Sequence, residues 1–286
     1  MYYQPMDNTK PKIIKSFLIF SDIDGTFMNH KSYSYSVLKK YIFLLKDRCQ
    51  LIFNSSKTFE EITELNKTLK ISSPFIVENG ACIFFPKNYN QIFFDKNFFK
   101  HSDYFGYKLT KKNSQSLITD INHLKKKYKF SFFSEISDFQ LKKITNLNIQ
   151  KLKKSRMRMF SNPLFWEDEE SKKEKFEKEI NSLGYEMSFG GRFLHLSDSY
   201  NKGIAVKEFL KILRLNEKKV YKTISVGDSN NDLSMLEQTD YSCIIKSSKK
   251  KLLLNKKQNN YYSKNFAPEG WKESLEYIFK KENVNF

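Results

Sequence analysis

Residues 17–26 read FLIFSDIDGT. Four apolar residues predict a short buried strand, and it stops at two aspartates on alternate positions, Asp22 and Asp24, followed by Gly25 and Thr26. A carboxylate at the end of a buried strand is costly unless a partner meets it. In open parallel sheets, ligands bind in the crevice at the carboxyl ends of the strands, so this stretch places two acids at the rim of such a site. Gly25 allows a sharp turn out of the strand, and Thr26 suits the cap of whatever follows.

Outward from this point the pattern alternates. Residues 35–46 space their apolar positions helically, 50–54 (QLIFN) form a second strand ending in Ser55, and 59–69 form another amphipathic helix. A third strand, 73–77, runs into Glu78-Asn79-Gly80, where an Asn-Gly pair favours a hairpin back along 81–85. Strand, helix, strand in close succession is a βαβ unit, hence a parallel sheet.

The texture changes from residue 87. Helices at 114–128, 138–145 and 169–183 interleave with strand-like runs at 130–134, 158–165, 185–189 and 192–196, which reads as an inserted α+β domain. The doubly wound pattern returns with a helix at 202–213 and a strand at 223–226. That strand ends in Gly227-Asp228-Ser229-Asn230-Asn231-Asp232. A helix (233–238), a strand (241–245), a basic loop (246–257) and a closing helix (269–280) complete the chain. The expected fold is therefore α/β, a Rossmann-like doubly wound parallel-sheet core (1–86 and 195–286) with an inserted α+β cap (87–194).

The chain has 286 residues, 40% of them hydrophobic, enough to bury a sizeable core. No segment approaches the ~18 apolar residues of a membrane span, and residues 1–15 lack a signal peptide's apolar centre. Cys49, Cys82 and Cys243 are odd in number and widely spaced, as reduced packing thiols are. These features lead us to expect a soluble, cytoplasmic protein. The net charge of +18 raises the question of a nucleic-acid partner. The basic residues are nearly all lysines, with arginine only at Arg48, Arg156, Arg158, Arg192 and Arg214, whereas bidentate readout favours arginine. A solvated lysine surface that attracts a small anionic substrate is the better reading.

Two acidic strand ends in one crevice suggest a metal. With no histidine or cysteine nearby, oxygen ligands favour a hard cation such as Mg²⁺, which takes one or two carboxylates plus substrate phosphate and water. Ser55 at a strand end and Lys202 at a helix start add a hydroxyl and an ammonium suited to a phosphoryl group.

In this order, Asp22-Ile23-Asp24-Gly25-Thr26, Ser55, Lys202 and the 227–232 segment resemble the four motifs of the haloacid dehalogenase superfamily of phosphatases. The resemblance extends to the mannosyl-3-phosphoglycerate phosphatase family through SKTFEEI, PFIVENGACIFFPKNY, RMFSNPLFWEDEE, GGRFLHLSDSYNKGIAVKEFL, GDSNNDLSMLEQTDY and APEGWKESL. It implies Asp22 as nucleophile, Asp24 as general acid and base, and Ser55 and Lys202 on the phosphoryl oxygens. Mg²⁺ would be held by Asp22, the carbonyl of Asp24 and Asp228, with Asn231 and Asp232 behind them. Glu78, Asn79 and Gly80, and Gly191, Arg192 and His195, would bind the substrate, a phosphorylated sugar-glycerate. The implied reaction releases phosphate from mannosyl-3-phosphoglycerate in compatible-solute synthesis. The glucosyl counterpart, or a general sugar phosphatase of the same cap type, is the alternative.

Overall fold

A computed structural model describes residues 17–284 except 90, 91, 93, 191, 217–219, 249–251 and 256–258. The first sixteen residues and parts of the basic loop at 246–257 therefore lie outside it.

The first half of the core runs β1 (Phe17–Ser21), α1 (Lys39–Leu45), β2 (Cys49–Phe53), α2 (Phe59–Leu69), β3 (Phe75–Val77) and β4 (Cys82–Pro86). A hairpin, β5 (Phe98–His101) and β6 (Tyr104–Lys108), follows. Next come α3 (Ser114–Ile121), β7 (Phe130–Phe132), α4 (Asp138–Thr145), α5 (Ile149–Ser155), β8 (Leu164–Trp166), α6 (Lys173–Ser182), β9 (Glu186–Gly190) and β10 (Phe193–Ser197). The chain then returns to the core with α7 (Lys202–Asn216), β11 (Lys222–Gly227), α8 (Leu233–Leu236), β12 (Tyr241–Ile244), β13 (Asn260–Tyr262) and α9 (Glu269–Lys281).

Five strands in the order β13-β12-β11-β1-β2 form the central sheet, every pair parallel. Alternation along β1 explains why both faces are covered. Phe17 and Ile19 pack with α1, α2 and α9 through Ile42, Ile62 and Trp271, while Leu18 and Phe20 pack with α7 through Val206 and Phe209. An isolated parallel bridge between Asn54 and Ile76 carries the sheet on to β3, which opens a second sheet ordered β3-β4-β6-β5. Pro86, the expected end of the first core segment, thus lies in a strand that pairs with β6, and the sheet continues past it.

The other four-stranded sheet, β7-β8-β10-β9, runs from Phe130 to Ser197, past the expected end of the cap at 194. Helices α3 and α6 bury Leu117, Ile121, Phe176 and Ile180 against its Phe130, Phe132, Leu194 and Leu196. Phe193, on the opposite side of β10, packs with Leu141 of α4 and Leu152 of α5. The strand expected over 158–165 is confined to Leu164–Trp166. Residues 158–161 instead point their polar groups at the core, for a reason given below.

Candidate active site

The carboxyl ends of β1, β2 and β11 converge with the first turn of α7. Asp22 extends the ladder by one step, its amide donating to Val226 (3.0 Å), and its carboxylate is buried. Trp271 of α9 donates to Ser21 Oγ (2.9 Å) and fixes the strand end from below. Gly25 then turns at φ +88°, and a Cβ there would lie 2.9 Å from Asp228 Oδ2, so only glycine lets the two acidic loops approach. Thr26, which the sequence places as a cap, instead donates its hydroxyl to Asp228 Oδ1 (3.0 Å).

Lys202 ties the acids together. Its ammonium, fully buried, contacts Asp22 Oδ1 at 2.6 Å and Asp232 Oδ1 at 2.7 Å. Asn54 holds the lysine's carbonyl (3.0 Å), locking β2 to the start of α7. Asp232 has a second duty, because its Oδ2 accepts from the amides of Asp228 and Ser229 (both 3.0 Å) and from Ser229 Oγ (3.1 Å). That folds the 228–232 loop so that Asp228 faces Asp22. Gly227 is required beside it, since a Cβ there would meet Asp232 Cβ at 2.5 Å. Asn231 reaches across to Asn79 Oδ1 (3.3 Å), and Ser55 is buried at the end of β2, where its carbonyl accepts from the Asn79 amide (2.9 Å).

Charge is unbalanced in this cluster. Burial pushes Asp22 up to about 7 against the pull of Lys202, with Asp232 adding repulsion. Burial, followed by the charges of Asp232 and Asp22, pushes Asp228 up to about 8. For Lys202, burial works against the charge, but Asp22 and Asp232 prevail and hold it above the ordinary lysine range. Three carboxylates therefore share one ammonium, and Asp22, Asp228 and Asp232 each offer an oxygen within 4.8 Å of the others. Both Asp232 oxygens are already occupied, so Asp22 and Asp228 are the two with an oxygen to spare. Deficient positive charge among hard oxygen donors fits a divalent cation.

Asp24 sits apart from this trio. Lys57 contacts its Oδ2 at 2.8 Å and also reaches Glu61 (3.4 Å), while Asp24 Oδ1 is buried without a donor. Lys57 escaped the sequence reading; its only signal was its place two residues beyond Ser55 at a strand end.

Above the acids lies a crevice of ≈950 Å³, its open mouth included, with Asp22, Asp24, Asp228, Ser229 and Asn231 on the core side. Arg158, Arg192, Phe193 and His195 line it from the cap. Arg192 is exposed at the rim and His195 is buried on β10; Gly191 lies outside the described residues. Arg158 was also missed, because nothing local in RMRMF tells it from Arg156.

Glu78 does not reach the crevice. Its buried carboxylate accepts from the amides of Met159 (2.9 Å), Phe160 (3.2 Å) and Ser161 (2.7 Å) and from Ser161 Oγ (2.5 Å). Glu78, expected at the substrate, is placed here as an anchor for the cap segment 159–161. It also explains why 158–161 is no strand, since those amides serve a carboxylate rather than a neighbouring chain. Asn79 and Gly80 follow it in the left-handed region, and a Cβ at Gly80 would lie 2.3 Å from the Asn201 carbonyl.

The model of the haloacid dehalogenase-like hydrolases matches residues 19–270. The chain belongs to that family. This haloacid dehalogenase-like hydrolase is 31% identical over 260 residues to the glucosyl-3-phosphoglycerate/mannosyl-3-phosphoglycerate phosphatase of Persephonella marina, covering 90% of this chain and 95% of that one. It is 30% identical over 272 residues to the protein of the same name from Methanococcoides burtonii, covering 93% and 98%. Among solved structures, a Thermoplasma acidophilum protein shares the fold with a TM-score of 0.64 at 19% identity over 94% of this chain and 98% of its own. Among the described residues no helix is long and apolar enough to cross a membrane.

Proposed function

We propose that this hydrolase is a Mg²⁺-dependent phosphatase that releases phosphate from a hexosyl-3-phosphoglycerate, mannosyl or glucosyl, leaving the hexosylglycerate. The observation that carries the reading is the crevice itself. A buried Asp22 paired to Lys202 faces Asp228 on one side, and cationic side chains face it from the cap. The shared name of the two phosphatase relatives supports the substrate class.

Asp22 is the nucleophile, whose free carboxylate oxygen attacks phosphorus to give an aspartyl-phosphate as the sugar-glycerate oxygen leaves. Lys202, already fixed at 2.6 Å from the other oxygen, orients that carboxylate and offers its charge to the phosphoryl group. Ser55, at the end of β2, hydrogen-bonds the phosphoryl oxygens. Asp24 gives the leaving oxygen its proton through Oδ1, the oxygen without a donor, and takes one back from the water that splits the intermediate. Lys57 grips Oδ2 and keeps that geometry through both steps. Asp22 and Asp228, with the Asp24 carbonyl, would hold Mg²⁺, which supplies charge neutralisation for attack on a phosphate dianion. Asn231 and Asp232 hold the loop that carries Asp228. On the cap, Arg192 and His195 contact the organic part of the substrate, while Asn79 steadies Asn231 at the crevice wall and Gly80 lets its turn pass close to Asn201.

The test is phosphate release with Mg²⁺ from mannosyl-3-phosphoglycerate, glucosyl-3-phosphoglycerate, 3-phosphoglycerate and simple hexose phosphates, compared by kcat/KM. The expected outcome is at least a tenfold preference for one or both hexosyl-3-phosphoglycerates. Flat rates across the panel would overturn the substrate, and no release from any would overturn the chemistry.

A further inference from the structure

The crevice holds a cation whose bonding is incomplete. The Arg158 side chain is 8% exposed, so its charge has lost most of its water. Its Nη2 donates to the Ser56 carbonyl (2.7 Å) and its Nε to Ser161 Oγ (3.1 Å). Its guanidinium lies 5.9 Å from the centre of the Phe133 ring. A guanidinium has five N–H donors, and these two bonds leave Nη1 with no acceptor among the described residues.

Among the described residues Glu78 is the one carboxylate paired with Arg158, and the pair is made without a hydrogen bond. It lies 3.8 Å from Nε, outside hydrogen-bonding range, and its oxygens are already taken by the backbone and hydroxyl of 159–161. Glu78 therefore offsets the charge of Arg158 at ion-pair distance without occupying its Nη1, which stays aimed and unbonded. Core and cap both hold it, through Ser56 and Ser161, so its direction into the crevice is set before any ligand arrives. Arg192 differs in kind: it is exposed at the rim and solvated. A desolvated, pre-aimed guanidinium binds an anion far more selectively than an exposed one.

We propose that Arg158, held between Ser56 and the Glu78-anchored segment, is the residue that binds the substrate's carboxylate, and that Arg192 is not. This deepens the phosphatase reading above and rests on it for the chemistry only. Any phosphate ester bearing a nearby carboxylate would report it, whatever the sugar.

The experiment compares 3-phosphoglycerate with glycerol 3-phosphate, a pair differing by a carboxylate, in the wild-type protein, Arg158→Gln, Arg158→Lys and Arg192→Ala. The wild type is expected to favour 3-phosphoglycerate by kcat/KM. Arg158→Gln should erase at least about tenfold of that preference through KM, with glycerol 3-phosphate hydrolysed within about threefold of wild type. Lysine should restore part of the preference, having the charge without the fork, and Arg192→Ala should keep it. Equal losses on both esters, an unchanged preference, or loss in Arg192→Ala instead would overturn the proposal. Should Arg158→Gln fail to fold, protection of Arg158 from phenylglyoxal in the wild type decides the matter, read by mass spectrometry of its peptide. 3-Phosphoglycerate should protect and glycerol 3-phosphate should not; equal protection by the two overturns it. The hexosyl panel judges the sugar independently, so failure of one reading does not mimic failure of the other.

Discussion

Asp22 is held by a single lysine that also serves Asp232, in a pocket carrying more negative than positive charge. Replacing Asp22 with asparagine removes a buried like charge while Lys202 keeps Asp232, so the fold should survive the change. Turnover of any phosphate ester should fall about a thousandfold or more, with thermal unfolding within a few degrees of wild type. A variant that keeps a tenth of the activity would refute the nucleophile. The acids were legible because each ends an apolar run, and a carboxylate at that position needs an explanation. Thr26, Lys57 and Arg158 were not, because their roles depend on partners brought together only by folding. Thr26 meets Asp228 across 202 positions, and Arg158 meets Ser56 across 102.

Where helices begin with reciprocal caps, their starts were readable to the residue. Helix α2 begins after Thr58 with Glu61 three positions on, and α4 after Ser137 with Gln140, so their expected and observed spans coincide. The 158–161 segment misled for the opposite reason. Its extended, partly apolar residues look like a strand, yet their amides are spent on Glu78, and no local pattern reports a carboxylate some eighty positions away. Glu78→Ala should accordingly leave three amides, two of them buried, and a buried hydroxyl without their acceptor. Urea unfolding should show a loss of about 3 kcal/mol or more, with the cap loosened from the core. A loss under about 1 kcal/mol would mean that Glu78 is not the anchor. The β5–β6 hairpin was missed because its strands are half-exposed and owe their pairing to β4 rather than to a continuous apolar run.

Over the whole molecule, the parallel core and the added antiparallel layer were legible from the alternation of strand and helix. The acid cluster gives the assembled protein a pH dependence of known sign. Burial raises Asp22 to about 7 and Asp228 to about 8, so between pH ~4 and ~8 the folded chain binds more protons than the unfolded one. Without divalent metal, stability should therefore fall as pH rises through that window. Mg²⁺ competes with those same protons, and its apparent affinity should be at least about tenfold weaker at pH 6 than at pH 8. Calorimetric titration checks this, together with the rise in Tm on adding Mg²⁺, which should be larger at pH 8. Equal affinity at both values would mean that the cluster is not the metal's home. The interior position of β1, between β11 and β2, has a further meaning during synthesis. One of its edges waits for β11, some two hundred residues later, which at ribosomal speeds is on the order of 10–40 s. Throughout that interval an apolar strand stands open to stray pairing, and Asp22 at its end has no Lys202 beside it. The nascent chain is thus chemically silent but sticky, and its need for a chaperone is greatest in the time when it can do no chemistry.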